Sequence, residues 1–101
     1  MNHLDTIEPS ELRSRLQAGE QPNMIDVRED EEVAEGMISG AKHIPLGQLP
    51  QHTDELDPEQ EWILICRSGY RSERACEYLQ QLGFRHVVNM TGGMLQWNSE
   101  S

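Results

Sequence analysis

Positive charge is scarce in this sequence: 8 Lys and Arg stand against 18 Asp and Glu, for a net charge of −10. Polyanion binding depends on clustered Lys and Arg, so the balance excludes a general binder of nucleic acid or of anionic membrane surfaces. Long apolar runs are also missing. No stretch approaches the ~18 residues of a membrane span, and the first ten residues have neither the charged nor the apolar region of a secretory leader. A soluble cytoplasmic protein is the expectation. Cysteine is limited to Cys66 and Cys76, too few for a disulfide scaffold and without the CxxC pairs of a zinc site. His3, His43, His52 and His86 are scattered along the chain, so neither a metal nor a cofactor is expected.

A length of 101 residues supports one core, and a single domain over residues 1–101 is expected. Leu, Ile, Val and Phe supply only 21 of the 101 residues, close to the range in which a highly charged chain stays unfolded. Their distribution decides for folding. They come in short dense runs such as Met24-Ile25-Asp26-Val27 and Trp62-Ile63-Leu64-Ile65, which a disordered chain has no reason to form.

The pattern alternates strands with helices. Glu8-Pro9-Ser10 opens a first helix, with Pro9 where a missing N–H costs nothing, and Gly19 stops it. Residues 24–27 make a short strand, residues 30–35 a short acidic helix ending at Gly36, and His43-Ile44-Pro45 another extended piece. Residues 46–51 form about one helical turn, interrupted by Pro50, and residues 54–61 a polar surface connection. The continuous apolar run at 62–65 marks a strand buried on both faces. Residues 72–82 read as a helix with Ala75, Cys76, Leu79 and Leu82 on one stripe and Gly83 as its stop. Val87-Val88 is the last strand, and Gly92-Gly93 leads into a final helix carrying Leu95 and Trp97. Such alternation implies an α/β fold, with a mostly parallel sheet covered by helices on both faces.

The segment Cys66-Arg67-Ser68-Gly69-Tyr70-Arg71-Ser72 follows the most apolar strand and opens a helix. Ligands bind at the C-terminal ends of parallel strands. A loop curling into a helix start aims several backbone N–H groups at one point, a cradle for an anion, and Gly69 gives the curl its freedom. Three of the eight basic residues, Arg67, Arg71 and Arg74, lie within eight positions of Cys66. A cysteine beside arginines at a helix N-terminus ionises readily, and the thiolate is the nucleophilic form.

These pieces together resemble a known family. Met24-Ile25-Asp26-Val27-Arg28-Glu29, Gly40-Ala41-Lys42-His43-Ile44-Pro45, the Cys66 loop and Gly92-Gly93-Met94-Leu95-Gln96-Trp97 occur in the order seen in single-domain rhodaneses, of the rhodanese-like sulfurtransferase family. Each piece is short; their joint order over three quarters of the chain carries the likeness. Where that family often has Gly-His-Ile this chain has Gly36-Met37-Ile38, and that histidine is not the nucleophile. The resemblance implies a five-stranded rhodanese-like fold. It also implies an activity: Cys66 takes a sulfane sulfur from thiosulfate or a persulfide and passes it, through a Cys66 persulfide, to a thiol or cyanide. The implied partners are a small sulfane-sulfur donor and a thiol acceptor, either a thioredoxin-like protein or a low-molecular-weight thiol.

Within the loop, Arg67, Ser68, Gly69, Tyr70 and Arg71 are the expected substrate-binding residues around Cys66. Arg67 and Arg71 bind an anionic donor or favour the thiolate; Arg71 has the alternative of an ion pair with Asp26, Glu29 or Glu35. Ser68 and Ser72 can donate hydroxyl bonds to the sulfur, and capping is the favoured role for Ser72. Tyr70 shapes the rim. Asp26 and Arg28 are expected to brace the fold, Trp97 to anchor the last helix, and Cys76 to be a buried, inert thiol.

Two other classes compete. Phosphatases and arsenate reductases use a Cys-x5-Arg loop, but here position 72 is Ser and the arginine comes one residue early, at 71. The smaller ring suits one sulfur better than a tetrahedral oxyanion. A non-catalytic interaction module would have no need to keep Cys66. A thioredoxin-type oxidoreductase would need a CxxC pair.

Overall fold

Five parallel strands, β1 (Asp5–Ile7), β2 (Met24–Asp26), β3 (Lys42–His43), β4 (Glu61–Ile65) and β5 (His86–Met90), form one sheet in the order β1-β5-β4-β2-β3. This is a computed structural model, and it describes residues 3–100. Parallel neighbours need crossovers, and five α-helices supply or follow them: α1 (Pro9–Gln17), α2 (Asp30–Val33), α3 (Leu49–His52), α4 (Tyr70–Gln81) and α5 (Gly93–Ser99). The apolar run at 62–65 becomes β4 in the middle of the sheet, where both faces are covered.

Alternation along the central strands divides the core. Trp62, Leu64 and Cys66 join Ala75, Cys76 and Leu79 of α4 and Leu49 of α3 on one face. Ile63 and Ile65 join Leu12 of α1 and Met94 on the other. On β5 the same period sends Val87 toward the α4 side and Val88 and Met90 toward the α1 side. The nucleophile candidate and α4 thus share a face because Cys66 is two residues beyond Leu64.

The structure differs from the sequence expectations in several local respects. β1 was not expected. It is a three-residue edge strand with only Ile7 buried, too short to show a period, and it exists through pairing with β5. Pro50 does not interrupt a helical turn. A 3₁₀ turn at Leu46–Gln48 hands over to α3, and Pro50 sits in α3's first turn, where no N–H is required. α4 begins at Tyr70 rather than at Ser72, because Gly69, with φ 103°, takes the N-cap position. α2 ends at Val33, where the Gly36 N–H bonds the Val33 carbonyl. No helix among the described residues is long and apolar enough to cross a membrane.

Trp97 anchors α5. Its ring lies under the Arg13 guanidinium at 3.8 Å, and Arg13 also donates to the Trp97 carbonyl at 2.8 Å, tying α5 to α1.

Candidate active site

Cys66 directly follows β4 at the carboxyl edge of the sheet and is fully buried. Its Sγ accepts the Gly69 N–H at 3.0 Å. Gly69 can turn that N–H inward because its left-handed φ is open to glycine. Of the several backbone donors expected on the sulfur, Gly69's is the one that bonds it among the described residues. The second group on Sγ is a side chain: the Ser72 hydroxyl, 3.3 Å away. Ser72 is therefore not the α4 cap. It lies inside the first turn, buried, aimed at the sulfur.

A buried residue outside the expected set completes this cluster. Asn89 of β5 accepts a short 2.5 Å hydrogen bond from the Ser72 hydroxyl at Oδ1, and its Nδ2 donates to the Gly69 carbonyl at 3.1 Å. The strand period explains its aim, since Asn89 follows Val87 on the α4 face. The signal was an amide two residues beyond a buried valine, in a strand read as ending at Val88.

The loop rests on α5. The Met94 N–H donates to the Cys66 carbonyl at 2.8 Å, and the Leu95 N–H to the Arg67 carbonyl at 3.0 Å. Two donors that a helix N-terminus leaves without partners thus fix the peptides after the nucleophile. The approach is close enough that only glycine fits at 93.

The arginines divide into two kinds. Arg71 forms a two-pronged ion pair with Glu32 of α2, at 2.8 and 2.7 Å. The pairing expected with Asp26, Glu29 or Glu35 is made with Glu32 instead, because the Glu29–Glu32 capping box of α2 turns that carboxylate toward α4. The Arg71 hydrogen bonds hold the Glu32 carboxyl down at about 2, and the carboxylate in turn raises Arg71. Arg67, in contrast, is exposed and has no salt-bridge partner among the described residues. Arg74 rests on the exposed Tyr70, donating to its hydroxyl at 3.1 Å. Ser68 is exposed on the loop.

Asp26 and Arg28 form a buried pair, with Arg28 Nη2 to Asp26 Oδ2 at 2.9 Å. Arg28 also donates to the Glu32 and Gly36 carbonyls, which fixes α2 and so the acceptor of Arg71. These two residues brace the fold, and neither bonds the sulfur among the described residues. Cys76 is buried on α4, its thiol pushed up to about 12 by burial and by Glu73 and Glu77. No metal-binding cluster of His, Cys, Asp or Glu occurs among the described residues.

The site is thus a cysteine just past a strand end with a backbone N–H and a hydroxyl on its sulfur, beside an arginine held by Glu32, another resting on Tyr70, and Arg67 without a salt-bridge partner among the described residues. Taken as a whole, the chain is similar to known proteins. A family model for the rhodanese-like domain matches residues 8–100. YtwF of Bacillus subtilis is 47% identical over 95 residues, which is 94% of this chain and 91% of that protein. Thiosulfate sulfurtransferase GlpE of Stutzerimonas stutzeri is 30% identical, covering 96% of this chain and 87% of that one. The crystal structure of a rhodanese-like domain protein from Staphylococcus aureus superposes with a TM-score of 0.88 at 34% identity, over 93% of this chain and 91% of that chain.

Proposed function

Because the chain belongs to the rhodanese-like domain family, we propose that it is a sulfurtransferase that carries a sulfane sulfur on Cys66, taken from thiosulfate or a persulfide and given to a thiol or cyanide. The observation that carries this reading is the buried Cys66 Sγ with the Gly69 N–H at 3.0 Å and the Ser72 hydroxyl at 3.3 Å. The N–H stabilises an anionic sulfur, the hydroxyl can turn its one proton to it, and neither group is a general base.

The Cys66 thiolate attacks the outer sulfur of the donor. A Cys66 S–S bond forms as the donor's own S–S bond breaks, and with thiosulfate the leaving group is sulfite, which takes the electron pair. An acceptor thiolate or cyanide then attacks the outer sulfur of the persulfide. The new bond to the acceptor forms as the Cys66 S–S bond breaks, and the cysteine leaves again as thiolate. No external oxidant or reductant enters, and the two steps need charge stabilisation above all.

The rim favours an anionic donor. On a chain of net charge −10, Arg67 and Arg74 stand beside the loop without carboxylate partners among the described residues, while Arg71 is held by Glu32. That a relative is a thiosulfate sulfurtransferase agrees with such a donor. The acceptor is a low-molecular-weight thiol or a thioredoxin-like protein. Intact-mass measurement after mixing with thiosulfate tests the reading. The expected result is a gain of one sulfur atom on Cys66, lost again on adding a thiol. No gain, or a gain on Cys66→Ser protein, overturns it.

A further inference from the structure

We propose that Asn89 is a positioning residue for Cys66, acting through the single Ser72 proton to set how readily the sulfur becomes an anion. The proposal rests on Cys66 being the nucleophile and adds what controls it.

The argument is a count of protons in a closed space. Ser72 Oγ lies between two acceptors, Asn89 Oδ1 at 2.5 Å and Cys66 Sγ at 3.3 Å, and its hydroxyl has one hydrogen. Cys66, Ser72 and Asn89 are all buried, so water is not at hand to fill a vacancy. With Cys66 as a thiol every group is satisfied. The S–H donates to Ser72, the Ser72 hydroxyl donates to Asn89 Oδ1, and Asn89 Nδ2 donates to the Gly69 carbonyl. When the thiol loses its proton to solvent, the sulfur has only the Gly69 N–H, and a lone pair of Ser72 faces the new charge. Rotation of the hydroxyl toward the sulfur corrects this and leaves Asn89 Oδ1 buried without a donor, a state proteins avoid. Asn89 therefore competes with the sulfur for one proton and favours the neutral thiol. Its other arm does the opposite work, since holding the Gly69 carbonyl keeps that peptide's N–H on Sγ.

The two arms can be separated by experiment. The pH dependence of iodoacetamide alkylation of Cys66, followed by intact mass, is measured in wild type, Ser72→Ala, Asn89→Leu and the double variant. Loss of the Gly69 support acts in both backgrounds and cancels when the two Asn89→Leu shifts are compared. The expected result is that the shift with Ser72 present lies about one pH unit to the acid side of the shift without it. The surrounding charged and titratable groups are common to all four proteins: Arg71 with Glu32, Arg67 in the loop, and the Cys76 thiol on α4. Equal shifts in the two backgrounds, or a difference of opposite sign, overturn the proposal. Should Asn89→Leu fail to fold, Asn89→Asp takes its place in the same four-protein comparison: it loses the Nδ2 donor and adds a charge in both backgrounds, and as a stronger acceptor it should give the larger alkaline shift where Ser72 is present. Equal shifts with and without Ser72, or a smaller one with it, are then the refuting result. Alkylation needs no sulfur donor, so failure of this proposal is distinguishable from failure of the sulfur-transfer reading.

Discussion

Gly93 lies against the Arg67 carbonyl with no space between them for a side chain. A Cβ there would also stand 2.6 Å from the Ser68 amide nitrogen, and the backbone is left-handed at φ 58°. Gly19 has a positive φ of 91° but open space around it. The pair separates conformational cost from steric cost. Gly19→Ala should lose about 1–2 kcal/mol, the price of the left-handed backbone. Gly93→Ala should lose more, and its sulfur transfer should fall as the Cys66 loop is pushed off α5. Urea unfolding and thiosulfate-to-cyanide turnover check both; equal losses in the two variants would show that the α5 contact does not hold the loop.

The two cysteines should behave differently despite equal burial. Cys66→Ser should abolish transfer with a near-native melting temperature, since one atom changes at a strand end. Cys76→Ala should keep near-wild-type turnover, because burial holds that thiol at about 12 and so protonated and unreactive at neutral pH. Its cost should be stability, about 1 kcal/mol for a small cavity against Leu79 and Ala75. Large loss of turnover in Cys76→Ala, or a Cys66–Cys76 disulfide after mild oxidation, would make the pair a redox switch.

What the sequence disclosed depended on how local each feature is. The β4 run, the first helix with Pro9 at its start, and the α4 stripe of Ala75, Cys76 and Leu79 each announce themselves within a few residues, as does the Cys66 loop; Leu82, read on the same stripe, sits at the C-cap of α4 and is exposed. The features it did not disclose arise from distant partners. β1 is a strand because β5 lies beside it. Ser72 turned from cap to sulfur contact because Gly69 begins α4 two residues early. Glu32 was indistinguishable from its acidic neighbours until the capping box oriented it. Asn89 needed the register of β5, which a strand ending at Val88 conceals.

Glu32 and Arg71 give the fold an acid-sensitive link between α2 and α4. The carboxyl lies at about 2 in the folded chain against an ordinary 4.5. A lowered carboxyl contributes stability that is present above the unfolded value and lost as pH falls through the folded one. Wild type should therefore lose this contribution between about pH 4.5 and 2. Glu32→Gln should be less stable at neutral pH by about 1–2 kcal/mol, discounted for partial exposure, and should show a flatter stability curve across that acid range. Parallel curves for the two proteins would remove the ion pair from the list of stabilising contacts.

Arg67 and Arg71 are neighbours of the same thiol, yet their removal should have opposite signatures. Arg71→Ala leaves Glu32 without its partner and loosens α2 from α4, so stability falls. Arg67 is exposed and has no salt-bridge partner among the described residues, so Arg67→Ala should leave the melting temperature unchanged. Its loss should appear in donor capture. A chain of net charge −10 repels a dianion, and a cation at the loop rim offsets that repulsion locally. KM for thiosulfate should rise by about 3- to 10-fold, an effect of about 1 kcal/mol for an exposed charge, with kcat less affected and Arg67→Lys recovering most of the loss. The difference should shrink as salt is raised, because screening acts over ~10 Å at 0.1 M. An unaltered KM at low salt, or a defect that salt does not reduce, would show that Arg67 shapes the loop and leaves the donor's charge to the backbone.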